Sequence, residues 1–132
     1  MKIERFEDIE AWQLARELTG RVYGLTRKPG FAKDFGLKKQ VQDAAGSSMH
    51  NIAEGFDSET NSEFVRFLRY AKRSCSEVQS ELYVALDQQY ITKAGFRMCM
   101  IMPDVPAPPF VVSSSTCWLM SRAGEIKATL NP

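Results

Sequence analysis

Apolar residues recur every three or four positions along roughly the first ninety residues, which is the spacing of an amphipathic α-helix. The pattern predicts three helices, at about residues 8–27, 37–54 and 60–87. A connector containing Pro29, Gly30 and Gly36 and a Thr60–Glu63 capping box mark the two breaks between them. Because the connectors are short and no alternating strand pattern precedes residue 96, we predict an all-α fold, an antiparallel up-down helical bundle.

Each predicted helix carries one apolar face that we assign to the core of the bundle. The third helix has the longest such face, so it is the best-defined element of the chain. The three faces consist of Ala11, Leu14, Ala15, Leu18, Val22 and Leu25; of Leu37, Val41, Ala44, Ala45, Ser48 and Ile52; and of Phe64, Phe67, Leu68, Ala71, Cys75, Val78, Leu82 and Leu86.

The first helix carries a second stripe beside its core face, formed by Ile9, Trp12, Thr19 and Tyr23. A helix with two covered faces is expected to contact another subunit as well as its own core. The stripe therefore predicts an oligomer interface. The alternative is that Trp12 and Tyr23 only widen the core face.

Composition divides the chain near Phe96. Residues 1–95 contain one proline and residues 96–132 contain five, and proline removes a backbone donor and clashes with the preceding helical turn. We therefore predict a helical bundle domain over residues 1–97 and an atypical, proline-rich tail over residues 98–132.

Charge and candidate chemistry exclude most enzyme classes. Lys+Arg 17 against Asp+Glu 16 leaves a net charge of +1, so any site for a polyanion must come from local clustering. The three cysteines form no C-x-x-C pair, and His50, the only histidine, cannot complete a Ser-His-Asp or multi-histidine metal site. We expect a cytoplasmic protein with reduced thiols that is not an enzyme and has no metal, cofactor, small-molecule substrate, membrane span or signal peptide.

Two basic clusters are candidates for nucleic-acid binding. Arg66, Arg69 and Arg73 lie opposite the core face of the third helix, and Lys72 is beside them. This cluster is either a solvated face or an anion-binding face. The second cluster borders the first connector, where its aromatic residues either contact bases or plug the end of the bundle. Its members are Arg27, Lys28, Lys33, Lys38 and Lys39, with Phe31 and Phe35.

A polar string, Asn51-Ile52-Ala53-Glu54-Gly55, ends the second helix. We interpret Asn51 and Glu54 as buried structural residues, and Gly55 as a left-handed C-terminal cap. A catalytic role for Glu54 beside His50 would need a nucleophile, a metal or a second carboxylate at useful spacing, and the sequence provides none.

Several short motifs between residues 3 and 97 share the pattern of one protein family. They are Phe6-Glu7-Asp8-Ile9-Glu10-Ala11-Trp12-Gln13, Gly36-Leu37 with Gln40, Ser47-Ser48, Asn51-Ile52-Ala53-Glu54-Gly55, Ser62-Glu63-Phe64-Val65-Arg66-Phe67-Leu68, then Ala71, Ser74 and Glu77, and Gln89-Tyr90-Ile91-Thr92. With these motifs the chain resembles the bacterial four helix bundle protein family, also called the 23S ribosomal RNA intervening-sequence protein family.

The resemblance implies a four-helix bundle that assembles as a homopentamer. A related branch, the accessory proteins of diversity-generating retroelements, binds nucleic acid and a reverse transcriptase through a basic surface, whereas this chain has a net charge of only +1. Two functional classes stay open: an oligomeric module that binds RNA, DNA or a nucleic-acid enzyme, and a purely structural scaffold with a protein partner.

The tail departs from the family, which continues after Phe96 into a fourth amphipathic helix. If the coding DNA is read in the frame that starts one base earlier, the codon that spans Met98 and Cys99 must encode valine. In that frame, the codon that spans Cys117 and Trp118 must encode leucine. With allowed codon choices, this frame gives a helical periodicity that resembles the family's last helix. We hypothesise that the tail is a frameshifted fourth helix. The alternative is a genuine divergent tail, which an intact reading frame in the coding DNA would establish.

Overall fold

Five α-helices follow a short 3-10 turn at Phe6–Asp8 in the computed structural model, which describes residues 3–100. Within those residues there is no strand, so the predicted all-α class is confirmed. The helices are α1 (Glu10–Thr26), α2 (Pro29–Lys33), α3 (Phe35–Phe56), α4 (Asn61–Asp87) and α5 (Lys93–Met100).

Helices α1 and α3 run antiparallel to each other. The hydroxyl of Thr19 donates a hydrogen bond toward the carbonyl oxygen of Ala45 at 2.9 Å. Farther along α1, the side-chain amide of Gln42 donates to the hydroxyl of Thr26, also at 2.9 Å. Later residues of α1 therefore meet earlier residues of α3, as the up-down prediction requires.

Helices α3 and α4 are also antiparallel, and their contact begins at Gly55. This glycine is buried against Phe64 and Phe67 in the first two turns of α4. Farther along, Cys75 of α4 lies beside Ser48 of α3. The apolar faces predicted for α1, α3 and α4 meet in one core, where they are fully or partly buried.

Gly55 has a different role from the one that the sequence suggests. The prediction of a left-handed cap is wrong, because α3 continues through Phe56 and no glycine in residues 3–100 has a positive φ angle. Gly55 instead lies at a close approach of the two helices. A Cβ atom at this position would lie 2.6 Å from Cβ of Phe67 and 2.8 Å from Cδ2 of Phe64.

Side-chain caps fix where α3 and α4 begin. Thr60 Oγ1 accepts a hydrogen bond from the backbone amide of Glu63 at 3.2 Å, which confirms the predicted N-cap of α4. Asp34 caps α3 by accepting from the amide of Leu37 at 3.1 Å, so the helix begins at Phe35, two residues before the predicted start. The hydroxyl of Tyr90 donates to the same carboxylate and ties the α4–α5 loop to this end of the bundle.

The first connector is partly helical, with Pro29 in the first turn of α2, where a missing amide hydrogen costs nothing. Phe31 is fully buried and its ring lies 5.6 Å from that of Tyr90. Phe31 therefore plugs the end of the bundle. Phe35, at 76% exposure, does not.

Helix α5 occupies the fourth position of the bundle, between α1 and α4. Its Phe96 ring lies 4.7 Å from the ring of Tyr83, and Arg21 of α1 donates to the carbonyl oxygen of Met98. The helix crosses the compositional boundary at Phe96 and continues to Met100, because the first proline of the tail comes only at position 103. The rest of the tail and its proposed frameshift lie outside the described residues.

Two carboxylates lie near enough to Glu81, on the surface beside the α3–α4 contact, to oppose its ionisation. Glu77 and Glu81 are one turn apart on α4, and Asp43, which is paired with Lys39 at 2.7 Å, faces them from α3. Oε2 of Glu81 is buried and has no hydrogen-bond partner among the described residues. Burial, followed by the neighbouring Glu77 and the charge of Asp43, raises the pKa of Glu81 to about 7.

Replacing Gly55 by alanine should destabilise the bundle. The new Cβ would overlap Phe64 and Phe67, so we expect the free energy of unfolding to fall by about 1–3 kcal/mol. Gly46→Ala on the same helix is the matched control, because its Cβ would lie 3.5 Å from Nε2 of His50, an ordinary contact. The free energy of unfolding of this control should rise by up to about 1 kcal/mol, because alanine has a higher helix propensity than glycine. Urea denaturation measures both, and stabilisation of both variants would contradict the close approach at Gly55.

The raised pKa of Glu81 should make stability fall as the pH rises. A glutamate ionises near pH 4.5 in the unfolded chain, whereas folded Glu81 keeps its proton until about pH 7. Its stabilising contribution is therefore complete below pH 4.5 and lost as the pH rises through about 7. Urea midpoints between about pH 4.5 and 8 should fall less steeply for Glu81→Gln than for wild type. Equal slopes would contradict the assignment, and Glu59→Gln, in the exposed α3–α4 loop, serves as control.

Candidate nucleic-acid interface

The exposed surface of the first half of α4 is basic, and we call Arg66, Arg69, Lys72 and Arg73 the arginine face. All four side chains are exposed, because the opposite side of the helix is committed to the core. The four residues therefore lie away from the core, as the sequence predicts.

Charge on the arginine face is only partly neutralised. Arg66 lies 3.6 Å from the carboxylate of Glu63, and its guanidinium lies 5.8 Å from the ring centre of Phe67. Arg69, Lys72 and Arg73 form no ion pair with any residue in the range 3–100. Arg69 and Arg73 are one turn apart and repel each other, and a bound anion would relieve that repulsion.

An exposed aromatic ring stands within the arginine face and was not singled out from the sequence. Tyr70 is 38% exposed, one turn after Arg66 and nearly one turn before Arg73. Its ring packs edge-on against Phe67, with ring centres 5.9 Å apart and an angle of 84° between the planes. The helical position of Tyr70, well away from the core face, is the signal in the sequence that identifies it.

The second basic cluster lies far from the first. Lys38 is half-buried, and exposed Lys39 is paired with Asp43, which faces Glu81 near the end of α4. From Glu81 back to Arg69, α4 extends twelve residues, which is about 18 Å at 1.5 Å per residue. The two clusters therefore do not form one surface, because the antiparallel course of α3 and α4 places them at opposite ends of their contact.

The polar string at the end of α3 divides into separate roles. The side-chain amide of Asn51 donates toward the carbonyl oxygen of Ser47 at 2.8 Å and toward its hydroxyl at 3.1 Å, so it is a structural residue of α3. Glu54 is exposed, and the expectation that it is buried is wrong, because its side of α3 faces away from both neighbouring helices. His50 is exposed too, so no buried acid–base pair forms there.

The second stripe of α1 is divided between core and surface. Ile9 is fully buried and Trp12 is 9% exposed, so both belong to the core of this chain, and a direct role for them between subunits loses its basis. Thr19 is half-buried against α3. Tyr23, at 43% exposure, is the residue of the stripe that remains on the surface.

Reactive groups in the described residues are buried or scattered. Cys75 and Cys99 are free thiols in the core, and burial raises the pKa of Cys75 to about 12 and that of Cys99 to about 11. Both are therefore protonated, packed side chains, as the sequence predicts for Cys75. Within residues 3–100, no group of three or more His, Cys, Asp or Glu side chains is placed to hold a metal ion.

Comparison with known proteins places the chain in a family. Among the helices in the described part of the chain, none is long and apolar enough to span a membrane. No curated protein matches the sequence. A family model described as 23S rRNA-intervening sequence protein matches residues 7–101, which include all five helices and more than half of the 132 residues. The chain is therefore a member of the 23S rRNA-intervening sequence protein family.

Proposed function

We propose that this protein is a non-enzymatic, oligomeric helical bundle that binds RNA or DNA through the arginine face. The observation that carries the proposal is that Arg69, Lys72 and Arg73 are exposed together on α4 and form no ion pair with any of residues 3–100. Local clustering of this kind attracts a polyanion even when the net charge of the chain is only +1.

Binding through this face would be directed at phosphates. The Cβ atoms of Arg69 and Arg73, one turn apart, are about 5–6 Å from each other, so both guanidinium groups reach one phosphate or two consecutive ones. Phosphates are common to every sequence and release counterions when they are neutralised. The interaction is therefore largely independent of sequence and weakens steeply with salt.

A non-enzymatic role is supported by the state of the reactive side chains. The thiols of Cys75 and Cys99 are buried and protonated, so they do not act as nucleophiles. His50 and Glu54 lie on an exposed side of α3, and no buried group among residues 3–100 is paired with either of them to activate it.

Self-association through the outer side of α1 is part of the proposal. Tyr23 is exposed there, and a Cβ atom at Gly20 or Gly24 would meet no atom of residues 3–100 within 4 Å apart from the neighbouring part of α1. Each glycine costs about 1 kcal/mol relative to alanine inside a helix, and each lets a second helix approach closely. In a closed ring, such as the pentamer that the family resemblance implies, the arginine face would repeat, and weak contacts would gain avidity.

The alternative function is a protein-interaction scaffold. The contact between Arg66 and Glu63 at 3.6 Å favours it, because that carboxylate already neutralises part of the arginine face. In a scaffold, carboxylates of a partner protein would neutralise the remaining cations, and nucleic acid would not bind.

Replacing Arg66, Arg69 and Arg73 by glutamine should weaken nucleic-acid binding without unfolding the bundle, because all three side chains are exposed. A plot of the logarithm of affinity against the logarithm of salt concentration should flatten by about one unit per lost phosphate contact. Filter binding of ribosomal RNA fragments and generic DNA across a salt series measures the slope.

A variant with Lys28, Lys33 and Lys39 replaced by glutamine is the matched control, since it removes the same charge from exposed positions at the other end of the α3–α4 contact. It should retain most of the binding. If wild-type protein binds neither RNA nor DNA even at low salt, where ionic contacts are strongest, the proposal is wrong and the scaffold function remains.

Replacing Gly20 and Gly24 by alanine should separate stability from assembly. The free energy of unfolding of each chain should rise by up to about 1 kcal/mol per site, because the new methyl groups meet open space. The assembly should weaken, because those methyl groups hold a second α1 helix away. Light scattering and urea denaturation measure the two effects.

Trp12→Ala is the contrasting variant, since Trp12 lies in the core and its loss should lower the free energy of unfolding by about 3–5 kcal/mol. Wild-type protein that is monomeric at micromolar concentration would contradict self-association. If the variant with both glycines replaced assembles as well as wild type, the contact between subunits does not lie on this side of α1.

A further inference from the structure

Tyr70 gives the arginine face a feature that phosphate binding does not require. Residues three and four positions apart are neighbours on a helix surface, so Tyr70 is adjacent to both Arg66 and Arg73. Tyr70 is 38% exposed, whereas some other aromatic side chains of the chain are buried in the core. An aromatic ring flanked by cations is the arrangement that binds the base and the phosphate of one nucleotide together.

The ring of Tyr70 packs against a second aromatic ring. It forms a T-shaped pair with Phe67, with ring centres 5.9 Å apart. Phe67 is itself fixed, because it is half-buried and packs against the α3 backbone at Gly55. A ring that is already packed against a neighbour before binding loses less conformational entropy when a base stacks on it than a free ring does.

Single-stranded and double-stranded nucleic acids differ in what they offer to such a site. Both present phosphates to the arginines. In a duplex the bases are stacked on each other and paired, so no base face is free for Tyr70, whereas an unpaired base has two free faces. The ring therefore adds affinity for single strands alone.

We propose that the arginine face binds single-stranded RNA or DNA in preference to duplex, with one unpaired base stacked on Tyr70 between Arg66 and Arg73. This inference rests on the proposed function, because the arginines supply the phosphate contacts. Tyr70 then supplies the preference for unpaired strands.

Tyr70→Leu tests the inference, because leucine keeps an apolar side chain but has no ring on which a base can stack. Anisotropy titrations would use a labelled 15-nucleotide oligo(U), a single strand of mixed sequence, and the duplex of that same sequence. We expect the variant to lose roughly tenfold in affinity for both single strands, within the range for one base–aromatic stack, and less than about twofold for the duplex. Tyr70→Phe should bind like wild type.

Phe35→Ala is the matched control, since Phe35 is an exposed aromatic residue close to Lys38 and Lys39 at the other end of the α3–α4 contact. Phe35→Ala should leave the affinities for the single strands and for the duplex unchanged. The salt slope should be the same for Tyr70→Leu and wild type, because no phosphate contact is removed.

Three outcomes separate the inference from the proposed function. Equal losses for single strand and duplex in Tyr70→Leu, or no loss for either, would overturn the stacking role. If the arginine-to-glutamine variant still loses binding in that case, the proposed function stands alone. Absence of wild-type binding to every probe at low salt would overturn both.

Discussion

The arrangement of the helices follows from the close contact of α3 and α4 at Gly55. A hydrogen atom in place of a side chain lets Phe64 and Phe67 pack directly against the α3 backbone. With this end fixed, the antiparallel course of the helices brings Cys75 beside Ser48. This register commits one side of α4 to the core and leaves the arginine face exposed.

The same register divides the exposed side of α4 by charge. Its first half carries the arginine face and Tyr70, whereas its second half carries exposed Glu77 and, at its edge, half-buried Glu81, near Asp43 of α3. A chain with a net charge of +1 thus presents a local positive surface. Concentration of charge on one part of a rigid helix, rather than excess charge over the whole chain, is what supports the binding of an anionic partner here.

Helix α1 combines two kinds of surface that the sequence pattern places side by side. Trp12 closes the core, where its ring packs edge-on against Phe6 with ring centres 5.1 Å apart and Arg16 lies over it. The side with Gly20 and Gly24 has open space beside it. A core stripe and an open stripe on one helix are the arrangement by which a bundle both folds and presents a surface to a second chain.

The helices, their core faces and the Thr60 cap could be predicted from the sequence, because these depend on the 3.6-residue period and on contacts within a few residues. The exposed position of Tyr70 follows from the same period. The roles of Gly55, Trp12 and Glu54 could not be predicted in this way, because each depends on which surface of a neighbouring element lies opposite. Periodicity identifies an apolar side of a helix, but the packing of one helix on another decides how wide the buried side is and where two backbones touch.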